Sequence, residues 1–162
     1  MDQIESYTSD AVALLSQLVS TPSFSKEENL TADIIEQYLK KAQINTVRIG
    51  NNIVAQQTTE SNKPTLVLNS HHDTVKPSDG WTLDPFHLTV DGDKLSGLGS
   101  NDAGGCLVSL IMTFLHYYHD DLSFNLVLLI SSEEEISGKG GLKLALKESG
   151  IQPDVAIVGE PT

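Results

Sequence analysis

The sequence predicts an α/β domain built on a largely parallel or mixed β-sheet. From residue 65 onward, strand-like apolar runs alternate with segments of helical periodicity, the pattern of a sheet that is covered by helices. Two of these runs, 125–130 and 155–158, are continuously apolar, as expected of strands that are covered on both faces. The length of 162 residues suits one domain or most of one.

Two amphipathic helices are predicted at the start of the chain. Apolar residues recur at helical spacing over 11–19, and Thr21-Pro22 ends this helix because proline disfavours helix in the residue before it. Ser25-Lys26-Glu27-Glu28 has the Ser-x-x-Glu form of a capping box. It predicts the start of a second helix, whose apolar face extends over 31–42.

The next elements are short strands. Runs typical of strands occupy 46–49 and 53–56, with Gly50-Asn51 as the turn between them, and the polar residues 58–64 are expected to form a loop. The apolar run 65–69 predicts the first strand of the alternating part of the chain.

A hairpin and two helices complete the predicted elements. Residues 88–95 alternate around Asp91-Gly92, as a hairpin does. Apolar residues at helical spacing follow Gly104-Gly105, and 142–147 has helical character that ends at Gly150.

Composition excludes several classes of function. Ten basic and twenty-two acidic side chains give a net charge of −12, which disfavours nucleic acid and anionic membranes as partners. The longest uninterrupted apolar run, 126–130, is far shorter than the roughly 20 residues of a membrane helix. The first residues lack the features of a secretory signal, and the single cysteine, Cys106, cannot form an internal disulfide. We therefore expect a cytoplasmic protein.

Acidic residues follow the predicted strands. His71 and Asp73 come after run 65–69, Glu133-Glu134-Glu135 after run 125–130, and Glu160 after run 155–158, while Asp102 precedes the helix that starts near Gly104. Ligands of open α/β sheets bind outside the carboxyl ends of the strands. If these strands are parallel, a histidine and several carboxylates converge on one edge of the sheet.

Such convergence requires a positive charge. Two like charges about 4 Å apart repel by roughly 4 kcal/mol at an effective dielectric constant of 20. One imidazole among several carboxylates indicates zinc, cobalt or manganese. Taken singly, each motif also fits a structural role: a hydrogen-bonded histidine, a solvated acidic loop, or an Asp102 that caps a helix. Their occurrence in order, each after a predicted strand or before a helix, favours a metal site.

Four motifs contain these residues: Ser70-His71-His72-Asp73-Thr74-Val75, Gly97-x-Gly99-Ser100-Asn101-Asp102-Ala103-Gly104-Gly105, Glu133-Glu134-Glu135-Ile136-x-Gly138 and Gly159-Glu160-Pro161-Thr162. In this order they resemble the dinuclear zinc metallopeptidase family, which includes acetylornithine deacetylase, succinyl-diaminopimelate desuccinylase, aminoacylase and glutamate carboxypeptidase. The resemblance covers essentially the whole chain, and the sequence of the second motif is most similar to acetylornithine deacetylases. The family implies a three-layer αβα catalytic domain with a mixed, largely parallel sheet.

The resemblance implies two zinc ions in the complete subunit, with cobalt or manganese as alternatives. His71, Asp102 and Glu160 would hold one ion, Asp102 would bridge to the second, and Glu135 would ligate the second. The ions would polarise the scissile carbonyl and lower the pKa of a water molecule from about 15.7 toward roughly 7.

The resemblance also implies two catalytic residues that are not ligands. Asp73 would hold the other ring nitrogen of His71, and Glu134 would be the general base. Glu133 stands where relatives commonly have Asp, and no catalytic role is expected for it. His72 should point away from His71 if the segment is extended.

Two features depart from the family pattern. Gly104 stands where relatives often have lysine, which leaves the bridging role of Asp102 untouched. Family members continue beyond Glu160 with a lid and dimerisation domain and a further histidine ligand. Residues 1–162 are therefore expected to be the N-terminal segment of the catalytic domain, truncated before those parts.

The expected function is metal-dependent hydrolysis of an N-acyl amino acid, with N-acetylornithine in arginine biosynthesis as the leading substrate and a homodimer as the full-length form. A dipeptidase, an aminoacylase or a succinyl-diaminopimelate desuccinylase is the alternative within the family. A noncatalytic metal-binding fragment is the alternative of another class.

Overall fold

The computed structural model describes residues 3–57 and 60–161. Residues 58 and 59 of the predicted loop, and Thr162 of the last motif, lie outside the described residues. The helices are α1 (Gln3–Val19), α2 (Asn29–Lys41), α3 (Cys106–Tyr117) and α4 (Leu142–Ser149). The strands are β1 (Thr46–Ile49), β2 (Asn52–Gln56), β3 (Thr65–His71), β4 (Thr89–Asp91), β5 (Lys94–Ser96), β6 (Asn125–Ser131) and β7 (Val155–Val158).

Five of the strands form one mixed sheet in the order β1-β2-β6-β3-β7, and β4 and β5 form a separate hairpin. Strand β3 is parallel to β6 on one side and to β7 on the other, whereas β1, β2 and β6 pair antiparallel. The predicted α/β class with a mixed sheet is confirmed. Its parallel part is the three strands whose carboxyl ends carry the acidic motifs.

Helices cover both faces of the sheet and give three layers. On one face, α1, α2 and α3 pack on alternate side chains of the central strands, with Leu14, Ile35 and Phe114 fully buried between them. On the other face, Ala145 of α4 packs in a smaller cluster. Strand β6 is buried along its whole length because it lies between these two layers.

The prediction that β7 is covered on both faces is wrong. Strand β7 is the outer strand beside β3, and Val155, Ile157 and Val158 are each half or more exposed. None of the buried core residues in the described ranges comes from β7. A continuous apolar run therefore identified the strand but not the covering of its faces.

The predicted capping box is also wrong. Helix α2 begins at Asn29, and no side chain caps it. The Ser25 hydroxyl instead donates to Asp73 Oδ2 at 2.7 Å, and the Glu28 carboxylate accepts from the backbone amide of Lys26 at 2.6 Å. Ser25 thus binds a carboxylate from a distant segment, and Glu28 binds the backbone of the residue after Ser25.

No helix in the described part of the chain is both long and apolar enough to span a bilayer.

Candidate metal centre

The imidazole of His71 is the centre of a cluster of carboxylates. His71 ends β3, opposite Ser131 of β6, and its side chain is 1% exposed. Its Nε2 lies 3.1 Å from Asp102 Oδ1, 3.4 Å from Glu160 Oε1 and 3.9 Å from Glu134 Oε2. The parallel strands thus bring the predicted residues to one edge of the sheet.

The donor set fits a divalent metal ion. Two ligand atoms on a tetrahedral zinc ion are about 3.3–3.5 Å apart, since each bond is about 2.0–2.2 Å long. The separations of His71 Nε2 from Asp102 and Glu160 are close to that value. One imidazole with several carboxylates is also a ligand set that zinc, cobalt and manganese accept.

Two groups of candidate ligand atoms can be separated around His71. In the first group, one ligand atom each from His71, Asp102 and Glu135 lies within 4.8 Å of the other two. In the second group, the same is true of His71, Glu134 and Glu160. The predicted triplet of His71, Asp102 and Glu160 is therefore divided between the two groups. All the predicted ligands are close together, and the division of the carboxylates between two ions stays a prediction.

Burial and crowding raise the pKa values of two of the carboxyl groups. Burial and the nearby charge of Asp102 raise the pKa of Glu135. The pKa of Glu160 is raised by burial and by the charges of Glu134 and Asp102, against the opposing effect of His71. These acids repel one another at the edge of the sheet, and a divalent cation would relieve that repulsion.

The other ring nitrogen of His71 faces Asp73. Nδ1 lies 3.0 Å from the backbone carbonyl oxygen of Asp73 and 3.4 Å from its Oδ1. A carbonyl only accepts, so Nδ1 carries a proton, and when Nε2 loses its own proton its lone pair points toward the carboxylates. Burial lowers the pKa of His71, but the hydrogen bond and charge of Asp73 and the charges of Glu160 and Glu134 outweigh it and raise the pKa to about 9.

Asp73 has a second set of contacts that the sequence did not predict. It is fully buried, its Oδ1 accepts from the amide of Glu134 at 3.0 Å, and its Oδ2 accepts from the amide of Glu135 at 3.2 Å. Burial raises the pKa of Asp73, but hydrogen bonds from His71, Ser25 and these two amides lower it to about 2. Asp73 therefore stays charged and joins β3 to the turn that follows β6.

Glu133 turns away from the carboxylate cluster. Its Oε2 accepts from the amide of Gly140 at 3.1 Å, and a Cβ on Gly138 or Gly140 would collide with its side chain. These side-chain contacts are made within the loop that Glu133 begins.

Asp102 lies in a wide, irregular turn, Ser100–Gly105, that leads into α3, and its side chain is about half exposed. The amide of Gly104 donates to the carbonyl of Gly99 at 2.8 Å. A Cβ on Gly104 would lie only 2.5 Å from that carbonyl oxygen, so the turn as it stands leaves no room for a side chain at this position.

His72 lies on the opposite side of the extended segment, as expected. It is 6% exposed, and its Nε2 donates to the backbone carbonyl of Asn51 at 3.0 Å. Its Nδ1 lies 2.9 Å from the hydroxyl of Thr31. Burial lowers the pKa of His72, which keeps the ring neutral. The Thr31 hydroxyl also lies 3.0 Å from the backbone carbonyl oxygen of Glu28, so its single proton has two acceptors within reach.

An open cleft of about 690 Å³ borders the cluster. Its wall includes His71, Glu134, Glu160, Lys139 and Lys143. A volume of this size accommodates a small organic substrate.

The model of peptidase family M20/M25/M40 matches residues 67–162, more than half of the chain. The chain belongs to this family. The match includes all four motifs that carry the candidate ligands.

Relatives and solved structures of this family agree with that assignment. An acetylornithine deacetylase of Proteus mirabilis is 34% identical over 166 residues, which cover 93% of this chain. Another from Erwinia tasmaniensis is 39% identical over 98 residues, which cover 60% of this chain and 25% of that protein. This chain spans 42% of the Proteus mirabilis protein.

Solved structures show the same fold. Human carnosine dipeptidase 1 superposes with a TM-score of 0.76 at 19% identity, over 97% of this chain and 39% of that one. A dinuclear metal-binding peptidase of the M20 family from Bacillus subtilis superposes with a TM-score of 0.70 at 18% identity, over 98% of this chain and 43% of that one. The α/β domain is thus that of M20 catalytic domains.

Proposed function

We propose that the edge of the sheet around His71 is part of the active site of a metal-dependent hydrolase that removes the acyl group from an N-acyl amino acid. The observation that carries this proposal is the approach of three carboxylates to one buried imidazole nitrogen, at 3.1, 3.4 and 3.9 Å. The similarity to acetylornithine deacetylases supports N-acetylornithine as the first substrate to test.

His71, Asp102, Glu135 and Glu160 would hold two zinc ions, or cobalt or manganese in their place. When bound, the ions supply Lewis-acid polarisation of the scissile carbonyl and a lowered pKa for the attacking water. Asp73 keeps the proton of His71 on Nδ1, so that Nε2 is available as a ligand atom.

Glu134 would move the protons. Its side chain is half exposed toward the cleft, while its backbone amide is held by Asp73. A carboxylate in this position accepts the proton of the attacking water and delivers it to the nitrogen of the leaving amine.

Hydrolysis of dipeptides is the second candidate. Lys139 and Lys143 in the wall of the cleft suit a free carboxylate, which N-acyl amino acids and dipeptides share. An aminoacylase and a succinyl-diaminopimelate desuccinylase would use the same residues on other acyl groups.

We also propose that residues 1–162 form the N-terminal segment of the catalytic domain. The 42% share of the Proteus mirabilis relative supports this division. A histidine from elsewhere in the complete protein would then complete the second metal site. A cytoplasmic location and a homodimer stay predictions.

The test is hydrolysis by the complete native protein with added zinc or cobalt. N-acetylornithine, other N-acetyl amino acids, N-succinyl-diaminopimelate and dipeptides are compared at equal concentrations. Cleavage of N-acetylornithine with the highest kcat/KM supports the leading proposal, and a preference for dipeptides supports the second. Tight metal binding without cleavage of any of them would establish the noncatalytic alternative.

A further inference from the structure

Three consecutive backbone amides bind buried carboxylates from other parts of the chain. The amide of Glu133 donates to Glu28 Oε1 at 3.2 Å, and the amides of Glu134 and Glu135 donate to Asp73 at 3.0 and 3.2 Å. Glu28 and Asp73 are both fully buried. These contacts determine the direction in which the side chains of Glu134 and Glu135 leave the backbone.

The carboxylate of Glu28 is itself held firmly. Its Oε1 also accepts from the amide of Lys26 at 2.6 Å, and its Oε2 accepts from Asn51 Nδ2 at 2.8 Å. Arg48 donates to Asn51 Oδ1 at 3.0 Å, which turns the amino group of Asn51 toward Glu28. Two donors, the amide of Lys26 and the amino group of Asn51, thus hold the carboxylate that meets the amide of Glu133.

The backbone at Glu133 requires external support. Its φ of 52° lies in the left-handed region, which residues other than glycine adopt only where the surroundings impose it. Its carbonyl accepts from the amide of Gly138 at 2.8 Å and its side chain from that of Gly140. The contacts with Gly138 and Gly140 are made within the loop, whereas the contact with Glu28 comes from outside it.

We propose that Glu28 is a positioning residue for the hydrolysis. Through the amide of Glu133, it aims the general base Glu134 and the ligand Glu135, without itself touching substrate or metal. The inference rests on the proposed function for the roles of Glu134 and Glu135.

Variants of the complete native protein separate positioning from stability. Glu28→Ala removes both oxygens, whereas Glu28→Gln keeps one oxygen for the amides of Lys26 and Glu133 and loses only the contact with Asn51. Ile35→Ala is the control, because Ile35 lies fully buried in the core on α2, the helix that directly follows Glu28. We expect Glu28→Ala to lower kcat by about tenfold or more with little change in KM. Glu28→Gln should stay within about threefold of wild type, and Ile35→Ala should leave kcat per folded molecule unchanged.

Two readouts do not depend on turnover. Hydrogen exchange at the Glu133 amide should become about tenfold faster in Glu28→Ala, and the absorption spectrum of the Co²⁺-loaded protein should change. Ile35→Ala should change neither. Equal kcat, equal exchange at Glu133 and equal cobalt spectra in Glu28→Ala and Ile35→Ala would overturn the proposal.

Two further results, a wild type that cleaves no substrate and a Glu28→Ala variant that does not fold, can be distinguished from failure of the positioning proposal. If wild type cleaves no substrate, the proposed function fails, while exchange and the cobalt spectrum still test the role of Glu28. If Glu28→Ala does not fold, Glu28→Asp takes its place, since its carboxylate is withdrawn by about 1.5 Å. Glu28→Asp is then expected to be more impaired than Glu28→Gln, and the reverse order would contradict positioning by the oxygen atom.

Discussion

Two adjacent histidines divide the end of β3 into two chemically different regions. His71 faces carboxylates at the open edge of the sheet. Burial lowers its pKa, but the negative charges around it have the larger effect and raise the pKa to about 9. His72 faces the hydroxyl of Thr31 and the carbonyl of Asn51, and burial lowers its pKa. Successive side chains of an extended segment point to opposite sides. For this reason alone His71 is a candidate metal ligand and His72 a structural histidine, although both rings are buried.

The comparison also shows what makes an edge of a sheet functional. The neutral partners of His72 satisfy both of its ring nitrogens, which leaves nothing to bind a ligand. His71 has one nitrogen satisfied by Asp73 and the other surrounded by acids that repel one another. The unbalanced negative charge is on the side where a cation is expected.

The largest predicted effect concerns the His71 side. In the complete protein, Glu134→Gln should lower kcat by about 10²–10⁴-fold and keep the metal content, because it removes a base and not a ligand. Glu135→Gln should instead weaken the binding of the second metal ion. Steady-state kinetics with metal analysis of the same samples checks both, and equal metal loss in the two variants would show that their roles are wrongly assigned.

On the other side, His72→Ala should destabilise the fold by about 2–4 kcal/mol, since it leaves a cavity and removes the His72 partner of the Asn51 carbonyl. Metal content per folded molecule should not change. His87→Ala, at an exposed position, is the control and should change the free energy of unfolding by no more than about 0.5 kcal/mol. Urea unfolding measures these values, and metal loss in His72→Ala would contradict the separation of the two regions.

The two histidines should affect the free energy of unfolding of the metal-free protein in different pH ranges, His71 above pH 6.5 and His72 below it. The folded pKa of His71, about 9, is above the ordinary 6.5, so its contribution is complete below pH 6.5 and is lost as the pH rises to about 9. The folded pKa of His72 is lowered, so its contribution is present above pH 6.5 and is lost as the pH falls below that value.

For His71, the rise in pKa from 6.5 to about 9 corresponds to roughly 3 kcal/mol of stability at acidic pH. Urea unfolding from pH 5 to pH 9 should lose its alkaline slope in His71→Ala and its acidic slope in His72→Ala. Saturating zinc should also remove the alkaline slope in wild type, because a metal ion takes the place of the proton on His71. The same two slopes in both variants would contradict the assignment.

The smallest predicted effect is that of Ser25→Ala. Loss of the hydroxyl that donates to Asp73 should lower the free energy of unfolding by about 1–2 kcal/mol and raise the pKa of Asp73 above its value of about 2. Asp73 still accepts from two amides, so metal content should be retained. Urea unfolding and NMR titration measure the two changes, and an unchanged pKa would show that the hydroxyl does not stabilise the charged form.

The sequence predicted the residues at the strand ends because parallel pairing requires those ends to meet. The register that places His71 beside Ser131, and Asn69 beside Val158, brings Glu134 and Glu160 to the same edge. The mixed sheet and the opposite direction of His72 follow from the same local rules of strands.

Contacts between distant segments could not be predicted in this way. Glu28 lies 105 residues before Glu133, and Ser25 lies 48 residues before Asp73, and their local spacing matched a capping box. Local patterns give the lowest-energy choice only when no stronger partner arrives from elsewhere in the fold. The exposure of β7 is a similar case, because covering depends on neighbouring elements and not on the run itself.

The central claim is that the His71 side of β3, and not the His72 side, binds the catalytic metal. Isothermal titration of the metal-free complete protein with zinc tests it most directly, with wild type, His71→Ala and His72→Ala compared at equal folded concentration. The account predicts that His71→Ala weakens zinc binding by about 100-fold or more, while His72→Ala binds zinc within about threefold of wild type. Tight zinc binding by His71→Ala, or equal loss in both variants, would contradict it.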